Sequence, residues 1–111
     1  MSDGFARLNV QDTKKKLDAG WAPFVLDVRK PPEAAISKLD FADMLRPHEA
    51  ILAGDLSGIP ADRPVLVQCR SGGRSAMVAR VLVANGWTDV TNLEGGINAW
   101  ATEIDTSLQT Y

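Results

Sequence analysis

The only cysteine of the chain, Cys69, stands in the run Gln68-Cys69-Arg70-Ser71-Gly72-Gly73-Arg74-Ser75. A thiolate is a strong nucleophile, and these neighbours are of the kind that favour one. Paired glycines let a loop take positive φ and turn its amide N–H groups inward. Inward N–H groups beside a helix N-terminus stabilise an anion. From Arg63 to Thr88 there are four arginines (63, 70, 74 and 80) and no Asp or Glu. That stretch carries +4 in a chain of net charge −2, so the remainder carries −6. A basic field of this kind predicts an ionised Cys69 and the attraction of an anionic substrate. A lone cysteine in an apolar chain is ordinarily a small buried core residue. The setting argues otherwise here, since arginine, serine and two glycines are poor core material.

The elements that must hold this loop can be read on either side of it. Pro64–Gln68 is a continuous apolar run with β-branched residues, which predicts a buried central strand ending at Cys69. Ser75–Ala84 is a strongly apolar helix, and Asn85-Gly86 stops it. Upstream, Asp12–Ala19 reads as a helix closed by Gly20. Phe24–Val28 reads as a strand stopped by Pro31-Pro32, and Glu33–Ile36 as one helical turn after those prolines. The middle of the chain predicts a short helix near Pro47–Ala53 and a turn-rich connector at Asp55–Pro60. Asp89–Leu93 is a further strand, and Ile97–Glu103 a last helix after Gly95-Gly96. Strands alternating with helices predict one α/β domain over residues 1–111, with a parallel sheet whose carboxyl edge holds the site.

Composition removes several function classes. The hydrophobic fraction of 45% and charged fraction of 23% are ordinary for a folded globular protein. A net charge of −2 predicts neither nucleic acid nor a membrane surface as partner. The apolar stretches Pro64–Val67 and Ala76–Ala84 are too short to span a bilayer. Met1–Phe5 carries no basic patch leading into an apolar run. One cysteine excludes an internal disulfide, and with no leader visible the expected compartment is a reducing cytoplasm. One Cys and one His make no standard metal cluster, so no metal or cofactor is expected. The single histidine, His48, is expected in an exposed loop with no catalytic role.

Three segments in order resemble the rhodanese family of sulfurtransferases. Leu26-Asp27-Val28-Arg29 followed by Glu33 is similar to its D-V-R-x-x-x-E motif. Cys69–Ser75 is similar to its active-site loop, and Asn92-Leu93-Glu94-Gly95-Gly96 through Trp100 to its closing N-L-x-G-G-x-x-x-W motif. The resemblance covers roughly residues 7–104. It implies a central parallel sheet flanked by helices on both faces, with Cys69 cycling between thiolate and persulfide. It implies a cradle from Arg70, Ser71, Gly72, Gly73 and Arg74, mainly through backbone N–H groups, with added charge from Arg74. Asp27, Arg29 and Glu33 are expected to form a structural ion-pair network behind the loop. Gly95, Gly96 and Trp100 read as a tight turn and a packed aromatic. The chain departs from the family at Ala34–Phe41, where many members carry G-H-I-P-G-A. The tail from Ala99 to Tyr111 resembles the end of rhodanese domains fused to ubiquitin-activating-like enzymes, which pass sulfur to small sulfur-carrier proteins.

Three functions follow from these readings. The first is an enzyme that takes sulfur from thiosulfate or a desulfurase persulfide and gives it to a thiol, cyanide or sulfur-carrier acceptor. The second is a sulfur-relay or interaction module with little thiosulfate activity of its own. The third is a phosphatase or arsenate reductase. It is disfavoured because those relatives have C-x5-R, whereas Cys69 to Arg74 is C-x4-R.

Overall fold

The computed structural model describes residues 4–111; the leader-free reading of the N-terminus rests partly on Met1, Ser2 and Asp3, which lie outside them. Five strands, β1 (Ala6–Leu8), β2 (Phe24–Asp27), β3 (Met44–Leu45), β4 (Val65–Gln68) and β5 (Val90–Leu93), form one sheet in the order β1-β5-β4-β2-β3. Every neighbouring pair is parallel. The helices are α1 (Val10–Asp18), α2 (Pro31–Ile36), α3 (His48–Leu52), α4 (Gly73–Ala84) and α5 (Gly96–Glu103).

Strand β4 is central, and all four of its residues are buried. A strand covered on both faces gains from apolar side chains on both, which is why its sequence does not alternate. Val65, Val67 and Cys69 pack on one side with Ile51 of α3 and Ala76, Val78, Ala79 and Leu82 of α4. Leu66 packs on the other side with Val10 of α1 and Ile97 and Trp100 of α5. Helices therefore cover both faces, and the chain leaves β4 at Cys69 on the carboxyl edge.

The structure adds two strands that the sequence pattern does not predict. Strands β1 and β3 are the sheet edges, three and two residues long, and too short for any periodicity. Helix α2 begins at Pro31-Pro32 instead of after them, because proline lacks only an N–H that the first helical turn leaves unpaired anyway. Helix α4 begins at Gly73, two residues before the expected Ser75. The expectation for His48 is corrected. It opens α3 half-buried, and its backbone N–H donates to the Val28 carbonyl at 2.9 Å, which draws the residue in beside the end of β2. No helix among the described residues is long and apolar enough to cross a membrane.

Candidate active site

The loop from Cys69 to Gly72 joins the end of β4 to the start of α4, and two amides and a hydroxyl converge on the sulfur. The Gly72 N–H lies 3.1 Å from Sγ, the Ser75 N–H 3.4 Å and the Ser75 hydroxyl 3.3 Å. The turn depends on Gly72, whose φ of 109° lies in the left-handed region that side chains disfavour. Ser75 sits in the first turn of α4, where backbone N–H groups have no partner within the helix, so its amide is free to point at sulfur. Oriented N–H groups at a helix N-terminus stabilise negative charge on sulfur. Gly72 and Ser75 make these contacts; the amides of Arg70, Ser71, Gly73 and Arg74 make none with Sγ among the described hydrogen bonds. Ser75, fully buried, is thus a site residue that the sequence reading left outside the cradle. A hydroxyl placed three residues into the helix after a glycine pair was the available signal.

The loop is held from behind by α5. The N–H groups of Ile97 and Asn98 donate to the Cys69 and Arg70 carbonyls at 2.9 and 3.1 Å. This needs glycine at position 96. A Cβ there would lie 2.5 Å from the Cys69 carbonyl oxygen and from the carbonyl carbon and oxygen of Arg70, all backbone atoms that cannot step aside. Asn92 at the end of β5 donates to the Gly72 carbonyl at 3.3 Å, and the Ser75 hydroxyl donates to the same carbonyl at 3.2 Å. Asn92 also donates to the Glu94 carboxylate. The closing motif therefore does more than form a turn: its amides fix the carbonyls of the sulfur loop.

Asp27, Arg29 and Glu33 form two linked pairs. Arg29 and Asp27 make a buried two-pronged ion pair, with Nε to Oδ1 at 3.0 Å and Nη2 to Oδ2 at 2.8 Å. Arg29 also donates to the carbonyls of Ser37 at 2.9 Å and Glu33 at 3.3 Å. Burial works against its charge, but the bonds with Asp27 and Tyr111 overcome it and raise its pKa above the ordinary value. The Glu33 carboxylate does not meet Arg29. It takes both Nη atoms of Arg74, at 2.6 and 2.7 Å, and the Tyr111 hydroxyl at 2.7 Å. The Arg74 bonds, foremost, hold the Glu33 carboxyl far below the usual carboxylate range, and Glu33 in turn raises Arg74. Burial raises the Tyr111 phenol, which keeps its proton and donates it to Glu33. Tyr111 is the second site residue missed, because nothing in its local sequence marks it.

The arginine field is narrower than the sequence predicts. Arg63 donates to the Ala22 carbonyl at 3.0 Å and lies over Phe24, at the opposite end of the sheet from Cys69. Arg80 lies over the Phe5 ring, nearly two turns along α4. Only Arg70 and Arg74 flank the sulfur loop, and Arg74 is neutralised by Glu33. Sequence neighbours two helical turns apart, or across a strand, do not share a field. Cys69 itself is 1% exposed. A cleft of about 560 Å3 lies between α1, α5 and the start of β2, and no residue from Cys69 to Ser75 lines it. Among the described residues no group of three or more His, Cys, Asp or Glu could hold a metal ion.

This geometry can be set beside known proteins. Residues 9–103 match the Rhodanese-like domain family. The chain belongs to that family. A Sulfurtransferase from Allochromatium vinosum is 40% identical to this rhodanese-like chain over 77 residues, 69% of this chain and 70% of that protein. The probable adenylyltransferase/sulfurtransferase MoeZ of Mycobacterium tuberculosis is 34% identical over 96 residues, 86% of this chain. The chain spans about a quarter of that relative's length, 24%. A rhodanese-like domain protein from Staphylococcus aureus superposes with a TM-score of 0.77 at 30% identity, covering 96% of this chain and 98% of that one. The five-stranded parallel sheet with helices on both faces is thus a rhodanese-like fold.

Proposed function

We propose that this rhodanese-like chain is a sulfurtransferase that carries sulfane sulfur as a persulfide on Cys69. The observation that supports it most is the convergence of the Gly72 N–H, the Ser75 N–H and the Ser75 hydroxyl on Sγ. Such contacts stabilise negative charge on the sulfur, as it attacks in the first step and as it leaves in the second. In the first step the Cys69 thiolate attacks the outer sulfur of thiosulfate. A bond forms between Sγ and that sulfur, the S–S bond of thiosulfate breaks, and sulfite leaves with the electron pair. An acceptor thiolate or cyanide then attacks the outer sulfur. A bond forms between the acceptor and that sulfur, the persulfide S–S bond breaks, and the Cys69 thiolate leaves with the electron pair. Release is intermolecular, since the chain has no second cysteine. A free, reduced Cys69 suits a reducing compartment such as the cytoplasm.

The phosphatase reading loses support from the structure as well as from loop length. Arg74, the arginine that follows the glycine pair, has both of its Nη atoms already bound to Glu33.

One observation favours the sulfur-relay reading. Ile36 and Met77 are 44% and 41% exposed. Each lies three residues along its helix from the Glu33–Arg74 pair, on the same helical face. Two exposed apolar side chains one helical turn from this pair suit a protein donor or acceptor, such as a desulfurase or a sulfur carrier. Intact mass after incubation with thiosulfate tests the main reading. A reducible gain of one sulfur atom is expected on the wild type and absent from Cys69→Ser. No gain from thiosulfate, with a gain from a desulfurase persulfide, would select the relay. A gain that survives in Cys69→Ser would remove both.

A further inference from the structure

Two arginines flank the sulfur loop, and their fates differ. Arg74 is held by Glu33 through both Nη atoms. Arg70 is exposed, and its guanidinium lies over the Tyr111 ring, 4.9 Å from the centroid, with no carboxylate partner among the described residues. Tyr111 is itself tightly placed. Its hydroxyl donates to Glu33 at 2.7 Å and accepts from Arg29 at 3.0 Å. Its backbone carbonyl accepts from the Asn98 side-chain amide at 2.9 Å, and its N–H donates to Asn98 Oδ1 at 3.3 Å. Asn98 also holds the loop, since its backbone N–H donates to the Arg70 carbonyl at 3.1 Å. Arg70, Asn98 and Tyr111 therefore close a circuit: backbone of Arg70 to Asn98, side chain of Asn98 to Tyr111, ring of Tyr111 to the Arg70 guanidinium.

We infer that Tyr111 is a positioning residue that stations the Arg70 guanidinium at the mouth of the sulfur loop as its anion-selecting charge. A long, exposed arginine left free samples many rotamers and spreads its charge over them. The face of an aromatic ring attracts a guanidinium and narrows that spread. Through its hydroxyl Tyr111 also supports Glu33, which keeps Arg74 neutralised. The donor then meets one placed cation beside a sulfur that several N–H and O–H donors already hold. The inference deepens the proposed sulfurtransferase reading and rests on it for the identity of the anion, a small sulfur oxyanion such as thiosulfate.

The test compares alkylation of Cys69 by iodoacetate, which is anionic, and iodoacetamide, which is neutral and of similar size. The ratio of the two rates reports the charge at the mouth. Access to the buried sulfur and its intrinsic reactivity enter both rates and cancel, so a merely structural role would lower the two together. Arg70→Gln is expected to lower the ratio about threefold, the scale of an exposed charge interaction. Tyr111→Leu is expected to lower it in the same direction by about twofold or more, and Tyr111→Phe, which keeps the ring and loses the hydroxyl's two bonds, to fall between wild type and Tyr111→Leu. In an Arg70→Gln background, Tyr111→Leu should lower it no further. An unchanged ratio in Arg70→Gln overturns the inference without reference to Tyr111. So does a folded Tyr111→Leu with the wild-type ratio, or one that lowers the ratio equally when Arg70 is already gone. The measurement needs no sulfur transfer. A chain that takes no sulfur from thiosulfate yet shows the expected ratios removes the functional reading and keeps the positioned charge.

Discussion

The Ser75 hydroxyl faces two acceptors and has one proton. It lies 3.3 Å from the Cys69 sulfur and 3.2 Å from the Gly72 carbonyl. When Cys69 is a thiol, its S–H donates to Ser75 and the hydroxyl donates to the carbonyl. When Cys69 is a thiolate, the hydroxyl turns to sulfur, and the carbonyl is still served by Asn92 at 3.3 Å. Loss of the hydroxyl therefore withdraws a charge-assisted bond from the anion while leaving the backbone satisfied. Ser75→Ala is expected to slow sulfur uptake from thiosulfate about tenfold, corresponding to about 1.4 kcal/mol, the scale of a hydrogen bond to a charged group. Its stability should change little. Stopped-flow or discontinuous measurement of uptake against urea unfolding checks both halves, and a wild-type uptake rate would mean that the two amides suffice.

At the scale of elements, the loop is a strand end clamped between two helix starts. Its amides at Gly72 and Ser75 turn inward to sulfur, and its carbonyls at Cys69 and Arg70 turn outward to the first turn of α5. The outward half depends on Gly96, where φ is 60° and a Cβ would meet backbone at 2.5 Å. Gly96→Ala is expected to destabilise the chain by about 2–4 kcal/mol, the sum of backbone strain and overpacking, and to lower sulfur uptake with it. Urea midpoints check this; an unshifted midpoint would mean that α5 can retreat from the loop without cost. The inward half was legible in part: an apolar run, a cysteine, two glycines and a helix lie within a few residues and mark the turn at Gly72, whereas Ser75 is buried in the helix and falls outside the expected cradle. Strands β1 and β3 were not legible. They pair through backbone at the sheet edges, and two or three residues carry no period. The destinations of Arg63 and Arg80 were not legible either. Each is decided by where an aromatic ring from another segment comes to rest, Phe24 for one and Phe5 for the other.

Across the whole molecule, Glu33 is the point where distant segments meet. It lies 41 residues from Arg74 and 78 from Tyr111, and its carboxylate joins α2, α4 and the closing segment. The D-V-R-x-x-x-E pattern marked Glu33 as structural, yet its partners lie outside that pattern, so sequence alone assigned it to the Arg29 pair. The side chains of Glu33 and Arg74 are 18% and 25% exposed, which shields the pair from full solvent screening. The Arg74 bonds first, then those from Tyr111 and the Lys30 N–H, place the folded carboxyl well below its unfolded value of 4.5, against the opposing effect of burial. Its contribution to stability is therefore complete above the unfolded value. As pH falls through the ordinary carboxylate range the unfolded chain takes up the proton first, and the contribution drains away until the folded carboxyl is protonated too. Glu33→Gln lacks this contribution at every pH. Urea unfolding near pH 7 should show the variant clearly weaker than the wild type, and at about pH 3 the gap should have narrowed. The wild-type stability curve should be the steeper of the two on its acid side. Two curves that run parallel from neutral to acid pH would show that Glu33 does not couple the three segments through its charge.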